Sequence, residues 1–395
     1  MKRLIAPLAT VSILTLLAAC GQAPEDAAPS PEESSSPVAS ESPSAAPTST
    51  PTPTNACAID PARISLEEKV GYLFMMGRDT TAGPVDETYR LTMQENHIKA
   101  VVLLGDTTAG VDGVREIVQG LDPNGDVLVA ADQEGGQIQR LQGPGFDTMP
   151  SAAEQAEMSA QELTGGAATW GEQLTAAGVD MNLAPVADVV PEEVGADNEP
   201  VAALERGYGS DPGAVGRHAA AYVKGMQQGG QLTSVKHFPG LGAVQGNTDF
   251  SADVVDDRTA QDDPGLESFR TVKDAGVDSV MVATAKYERI DPENLAAFSP
   301  VVIEEMIRGD LGFDKVVISD DMGAAAQVAD VTPGERAVRF LAAGGDIVIN
   351  GDPSIQSEMT EGVLARAKDD PEFEKSLDEK VARISALHEG SCGIS

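Results

Sequence analysis

Thr233-Ser234-Val235-Lys236-His237-Phe238-Pro239-Gly240 is the stretch on which the fold turns. A short β-rich run stops on two chemically active side chains, Lys236 and His237, and a Pro-Gly pair then breaks the chain direction. Working outward, similar runs recur at 72–76, 100–104, 127–131, 180–184, 279–283, 315–319 and 346–350. Segments with helical period separate them, among them 114–121, 151–177, 212–228, 265–275, 300–310 and 332–343. The first helix opens with a capping box, Ser65 with Glu68, and the last lies around 376–388.

Strands alternating with helices predict βα units and a parallel sheet, which two architectures share: an open doubly wound sheet and a closed barrel. Polar residues decide between them. Asp132, Asp188, Lys236 with His237, and Asp320 each stand where an apolar run stops. In a closed barrel those points converge on the C-terminal face, where such enzymes place their chemistry; in an open sheet they spread along an edge. The reading is an α/β chain with a single-domain (β/α)₈ TIM barrel.

The N-terminal part has a different character. Met1, Lys2 and Arg3 precede an apolar stretch that is shorter than the roughly 20 residues of a membrane-spanning helix and ends in small residues, as a signal peptide does. Leu17-Ala18-Ala19-Cys20 resembles the bacterial lipobox, in which the signal is cut before a cysteine whose thiol is lipidated. Residues 1–19 are therefore expected to be a signal peptide, with Cys20 the lipid anchor at the extracytoplasmic face of the cell membrane. Residues 20–56 are rich in Pro, Ser, Ala, Thr and Glu and hold no aromatic residue. Such a composition buries too little apolar surface to offset its ordering entropy. As an extended linker it would reach on the order of 100 Å at about 3.1 Å per residue. The barrel is assigned to 57–395, flanked by Cys57 and Cys392, which an oxidising compartment would favour as a disulfide.

The formal charge of −36, from 63 acidic and 27 basic side chains, opposes nucleic acid and anionic lipid surfaces as partners. It names no substrate. Neither a phosphate-binding glycine loop nor a cysteine-histidine zinc spacing occurs, so no metal or organic cofactor is expected. Oligomeric state leaves no signature in the sequence.

Chemistry concentrates in five segments. Asp132-Gln133-Glu134-Gly135-Gly136 is followed by Arg140; then come Asn182-Leu183-Ala184-Pro185-Val186-Ala187-Asp188, Arg206-Gly207-Tyr208-Gly209, Lys236-His237-Phe238-Pro239-Gly240 and Ser319-Asp320-Asp321-Met322. In this order they resemble glycoside hydrolase family 3, specifically its single-domain β-N-acetylhexosaminidases of the NagZ type, over about residues 65–352. The resemblance implies the barrel and retaining hydrolysis, in which a carboxylate attacks the anomeric carbon while a second group protonates the leaving oxygen. By motif position it implies Asp320 as nucleophile and Asp132, Arg140, Arg206, Lys236 and His237 as sugar-binding residues. It also implies a glycan containing N-acetylglucosamine, derived from peptidoglycan, as substrate.

One loop departs from that pattern. NagZ-type enzymes carry an Asp–His pair after the Lys-His-Phe-Pro-Gly segment, and the pair supplies the acid/base group. Here the loop reads Leu241-Gly242-Ala243-Val244-Gln245-Gly246-Asn247-Thr248-Asp249. Counted without gaps, the Asp falls on Asn247 and the His on Asp249. Leu241 and Thr284 replace two further histidines, and Gln137 stands where an arginine is common. Three readings are compatible with these exchanges. Asp249 serves as acid/base with a raised pKa; the enzyme is impaired by about 10²–10⁴-fold; or the protein is a lipoprotein that binds glycans without cleaving them.

Overall fold

The computed structural model describes residues 58–122 and 124–392. The expected signal peptide, the linker, the lipidation site Cys20 and the Cys57–Cys392 pairing lie outside the described residues, the side chain of Cys392 included. Among the described residues no helix is long and apolar enough to cross a membrane.

Eight parallel strands close into a barrel: β1 (Phe74–Asp79), β2 (Ala100–Leu104), β3 (Leu128–Ala131), β4 (Met181–Asn182), β5 (Leu232–Phe238), β6 (Ser279–Val282), β7 (Val316–Asp321) and β8 (Ile347–Asn350). The ring closes where β1 pairs on one side with β8, Phe74 opposite Val348, and on the other with β2, Met75 opposite Ala100. This is the (β/α)₈ TIM barrel expected from the strand count. Its strands read as near-continuous apolar runs because helices cover their outer faces and side chains fill the interior. β5 is buried along its whole length, including Lys236 and His237. A short strand thus carries two ionisable groups into the core, and they need partners there.

Local signals explain where the elements differ from expectation. The run at 72–76 begins as strand only at Phe74, because the capped helix Leu66–Tyr72 still holds Tyr72. The segment 151–177 is two helices, Ala152–Gln155 and Ala160–Ala176, since Ser151/Glu154 and Ser159/Glu162 each form a capping box. Residues Val301–Asp310 wind as a π-helix. The last helix, Pro371–Cys392, is longer than expected and follows a further helix, Gln356–Asp369.

Two small sheets sit outside the barrel and shape its rim. Gln133–Gly135 pairs with Ile138–Gln139 directly after β3. Val255–Asp256, Lys286–Tyr287 and Asp291–Leu295 form a three-stranded sheet that joins the loop after β5 to the loop after β6.

Candidate active site

The turn after β3 brings Asp132 and Glu134 toward the end of β5. Lys236 Nζ lies 2.5 Å from Asp132 Oδ1 and 2.6 Å from Glu134 Oε1. Arg206 forks onto the same Glu134 carboxylate, Nε to Oε2 and Nη2 to Oε1, both at 2.8 Å. Its Nη1 donates to the Pro200 carbonyl at 2.7 Å. Two cations and two carboxylates are therefore drawn together, Lys236 and Glu134 buried and Arg206 with Asp132 half-buried, which offsets a desolvation cost that none of them could meet alone. Burial acts to raise the Glu134 pKa, but Arg206 and Lys236 outweigh it and hold the carboxyl well below the usual range. Burial likewise opposes the charge of Lys236, and Asp132 with Glu134 overcomes it, so the ammonium is held more firmly than in water.

His237 is fixed from two sides. Its Nδ1 lies 2.7 Å from Asp188 Oδ2, and its Nε2 lies 3.3 Å from Arg206 Nη2. Because a guanidinium only donates, this pair of contacts fits a neutral ring with the proton on Nδ1. Asp188 Oδ1 also accepts the backbone N–H groups of His237 and Leu241, each at 3.0 Å. One fully buried carboxylate thus orients the imidazole and anchors the start of the following loop.

At the end of β7 two adjacent aspartates have different surroundings. Asp321 accepts from the backbone N–H groups of Gly323 at 2.7 Å, Gly351 at 2.8 Å and Ala324 at 3.2 Å, which folds the strand end. Asp320 accepts only the Asp321 N–H, at 3.0 Å, among the described residues. Burial raises the Asp320 pKa, and the charge of Asp249 raises it further.

Asp249 is carried by the loop after β5, which is strapped on both flanks. On one, the buried Asn198 donates through Nδ2 to the carbonyls of Leu241 at 2.7 Å and Val244 at 2.8 Å, and its Oδ1 accepts from Ala202 N–H at 2.8 Å. Gly242 presses so close to the Val189 carbonyl that a Cβ there would collide with it. On the other flank, Ala326 and Gln327 N–H donate to the carbonyls of Asp249 and Thr248 at 3.2 and 3.1 Å. Asp249 remains reachable by solvent at the rim, yet the protein crowding its carboxyl raises its pKa; Asp321 and Asp132 push the same way, against Arg206.

The seven residues expected from the sequence, Asp132, Arg140, Arg206, Lys236, His237, Asp249 and Asp320, all line one cavity of about 360 Å³ at the C-terminal end of the barrel. A larger cleft of about 510 Å³ beside Val189 and Arg258 contains none of them. Arg140 reaches Asp106 at 2.9 Å, while its Nε is buried without a hydrogen-bond partner among the described residues. Asp188, expected at the C-terminal face as a strand-end residue, turns out to orient His237, whereas no part in the site was expected for Glu134, Asn198 and Gln327. Of these three only Glu134 left a signal, two positions after Asp132, where an extended backbone returns to the same face. Thr284, at a position where a histidine was expected, is fully buried and its hydroxyl has no partner among the described residues.

The arrangement can hold a polyhydroxylated ligand against fixed charges and present two carboxyl groups to it. Comparison with known proteins points the same way. The family model described as Glycosyl hydrolase family 3 N terminal domain matches residues 65–387. A solved β-N-acetylhexosaminidase from Beutenbergia cavernae DSM 12333 is 42% identical, with a TM-score of 0.80 over 83% of this chain and 99% of that one. A β-hexosaminidase of Stenotrophomonas maltophilia (strain K279a) is 34% identical over 251 residues, 61% of this chain and 71% of the relative. A solved family 3 β-N-acetylglucosaminidase from Paenibacillus sp. str. FPU-7 is 28% identical, with a TM-score of 0.73 over 83% of this chain and 63% of that one.

Proposed function

Since the chain belongs to glycosyl hydrolase family 3, we propose that it is a retaining, exo-acting β-N-acetylglucosaminidase that removes terminal N-acetylglucosamine from peptidoglycan-derived glycans. The observation that carries this reading is the meeting of Asp320 and Asp249 in one cavity, where the charge of one raises the pKa of the other. Two carboxyl groups that cannot both ionise freely divide into one base and one acid. Asp320 takes the role of nucleophile, because it stands at the end of a barrel strand inside the cavity and its carboxylate accepts a backbone N–H. Asp249 takes the role of acid/base in place of the family's histidine.

In the first step Asp320 attacks the anomeric carbon as the bond to the leaving oxygen breaks, and Asp249 gives that oxygen its proton. Water then attacks the glycosyl-enzyme, Asp249 takes the proton back, and Asp320 leaves as a carboxylate. Lys236, Arg206, Arg140, Asp132 and His237 hold the sugar's hydroxyl and acetamido groups. The Lys236–Asp132 pair, and the pairing of Arg206 with Glu134, Arg140 with Asp106 and His237 with Asp188, keep these groups in place before substrate arrives, so little is lost to reorganisation during the reaction.

The lipobox-like Leu17-Ala18-Ala19-Cys20 and the linker that follows support a lipid-anchored enzyme on the extracytoplasmic face. A tether reaching on the order of 100 Å would keep the cavity within range of wall fragments. The test is release of p-nitrophenol from its β-N-acetylglucosaminide. Asp320→Asn is expected to lower kcat by on the order of 10³-fold or more, and full activity in that variant would overturn the assignment.

A further inference from the structure

The chain has nine Phe, five Tyr and one Trp, all within the described residues, and every ring is buried or half-buried except that of Phe250, which is 82% exposed. That one ring follows Asp249 directly and lines the mouth of the cavity that holds Asp320. Its backbone is not free to swing: Phe250 N–H donates to the Asn247 carbonyl at 3.1 Å, and the two preceding carbonyls are held by Ala326 and Gln327. A large apolar surface is thus kept in water on a fixed support, at a cost in hydrophobic free energy that its position beside the site can explain.

We infer that Phe250 forms the subsite for the leaving group and stacks on the pyranose ring of the sugar to which the terminal residue is linked. The inference rests on the catalytic reading of this cavity. The charged groups deeper in the cavity, the buried Lys236 and Glu134 and the half-buried Arg206, are hydrophilic and suit the hydroxyl-rich sugar that is cut off. Phe250 stands instead at the rim, one residue from the group that protonates the leaving oxygen, so whatever lies beside it belongs to the leaving side. A gluco-configured β-pyranose carries its substituents equatorially, which leaves axial C–H bonds on both faces. Such a face is apolar and weakly positive, and it complements the negative face of an aromatic ring.

The experiment measures kcat/KM on two substrates with the same terminal N-acetylglucosamine, a β-1,4-linked disaccharide of that sugar and a small alkyl glycoside that has nothing to stack. The readout is the ratio of the two. Phe250→Ala is expected to lower the ratio by about tenfold, and Phe250→Trp to restore it. A ratio equal to that of the unmodified protein in Phe250→Ala would overturn the inference, whatever happens to each rate. If the unmodified protein hydrolyses neither substrate, the catalytic reading fails on its own account, and calorimetry decides about the subsite. Loss in Phe250→Ala of the extra affinity for the disaccharide over the monosaccharide would then support it, and an unchanged difference would overturn it.

Discussion

Gln327 satisfies both backbone polar groups of Val254: its Oε1 accepts from the Val254 N–H at 2.9 Å and its Nε2 donates to the Val254 carbonyl at 3.3 Å. With the bonds from Ala326 and Gln327 N–H to Asp249 and Thr248, this joins the loop that follows Asp320 to the loop that carries Asp249. Proton transfer depends on geometry before it depends on pKa. Gln327→Ala is therefore expected to slow glycosides with poor leaving groups by roughly tenfold, and activated aryl glycosides much less. Amide hydrogen exchange in residues 247–254 should quicken in the same variant; unaltered exchange there would count against the latch.

The same leaving-group series tests Asp249 itself. Asp249→Ala is expected to cost about 10²–10⁴-fold on unactivated glycosides, with a far smaller loss on 2,4-dinitrophenyl glycosides, whose oxygen departs without a proton. The basic limb of the pH profile should flatten in that variant. Equal losses across the series would assign the acid to another group.

Asp249 also has a signature in stability. Its pKa is raised in the fold, first by burial, so its protonated form is favoured there. The stabilisation this confers is complete below the unfolded pKa of about 3.9 and is lost as pH rises through the folded value. Asp249→Asn removes the ionisation, and is expected to raise Tm at pH 7.5 while changing it little at pH 3.5. A thermal scan at the two pH values checks the sign, and equal shifts would contradict it.

Glu134 behaves in the opposite sense. Its pKa is depressed by Arg206 and Lys236 against the effect of burial, so the stabilisation is present above the unfolded value of about 4.3 and is lost only as pH falls through the lower folded value. Glu134→Gln takes from the buried Lys236 and the half-buried Arg206 the carboxylate they share, and is expected to cost about 3–5 kcal/mol in denaturant unfolding at pH 7. Glu134→Asp, which retains the charge, should lose less.

Cys20→Ser is expected to shift the protein from the membrane fraction to the soluble exported fraction without changing its hydrolytic rate. Retention in the membrane fraction would argue against the lipid anchor.

Much of this molecule was legible in its local patterns. The eight apolar runs, the capping box of Ser65 with Glu68, and the polar residues at strand ends all follow from periodicities of two and 3.6 residues and from short-range hydrogen bonds. The convergence of Asp132, Lys236, His237 and Asp320 follows once those runs are closed into a barrel, because every parallel strand then ends on the same face. Tertiary structure decided the rest. Glu134 and Arg206 are 72 residues apart, and Gln327 and Val254 are 73 apart, so no local period links either pair. Likewise Phe250 has the composition of a core residue, and only the path of a loop pinned at both flanks leaves its ring in water. Sequence determined which chemical groups reach the open end of the barrel, since that depends on position along each strand. Which of them pair, and which stay free to meet a ligand, depends on burial and on contacts between loops distant in the chain.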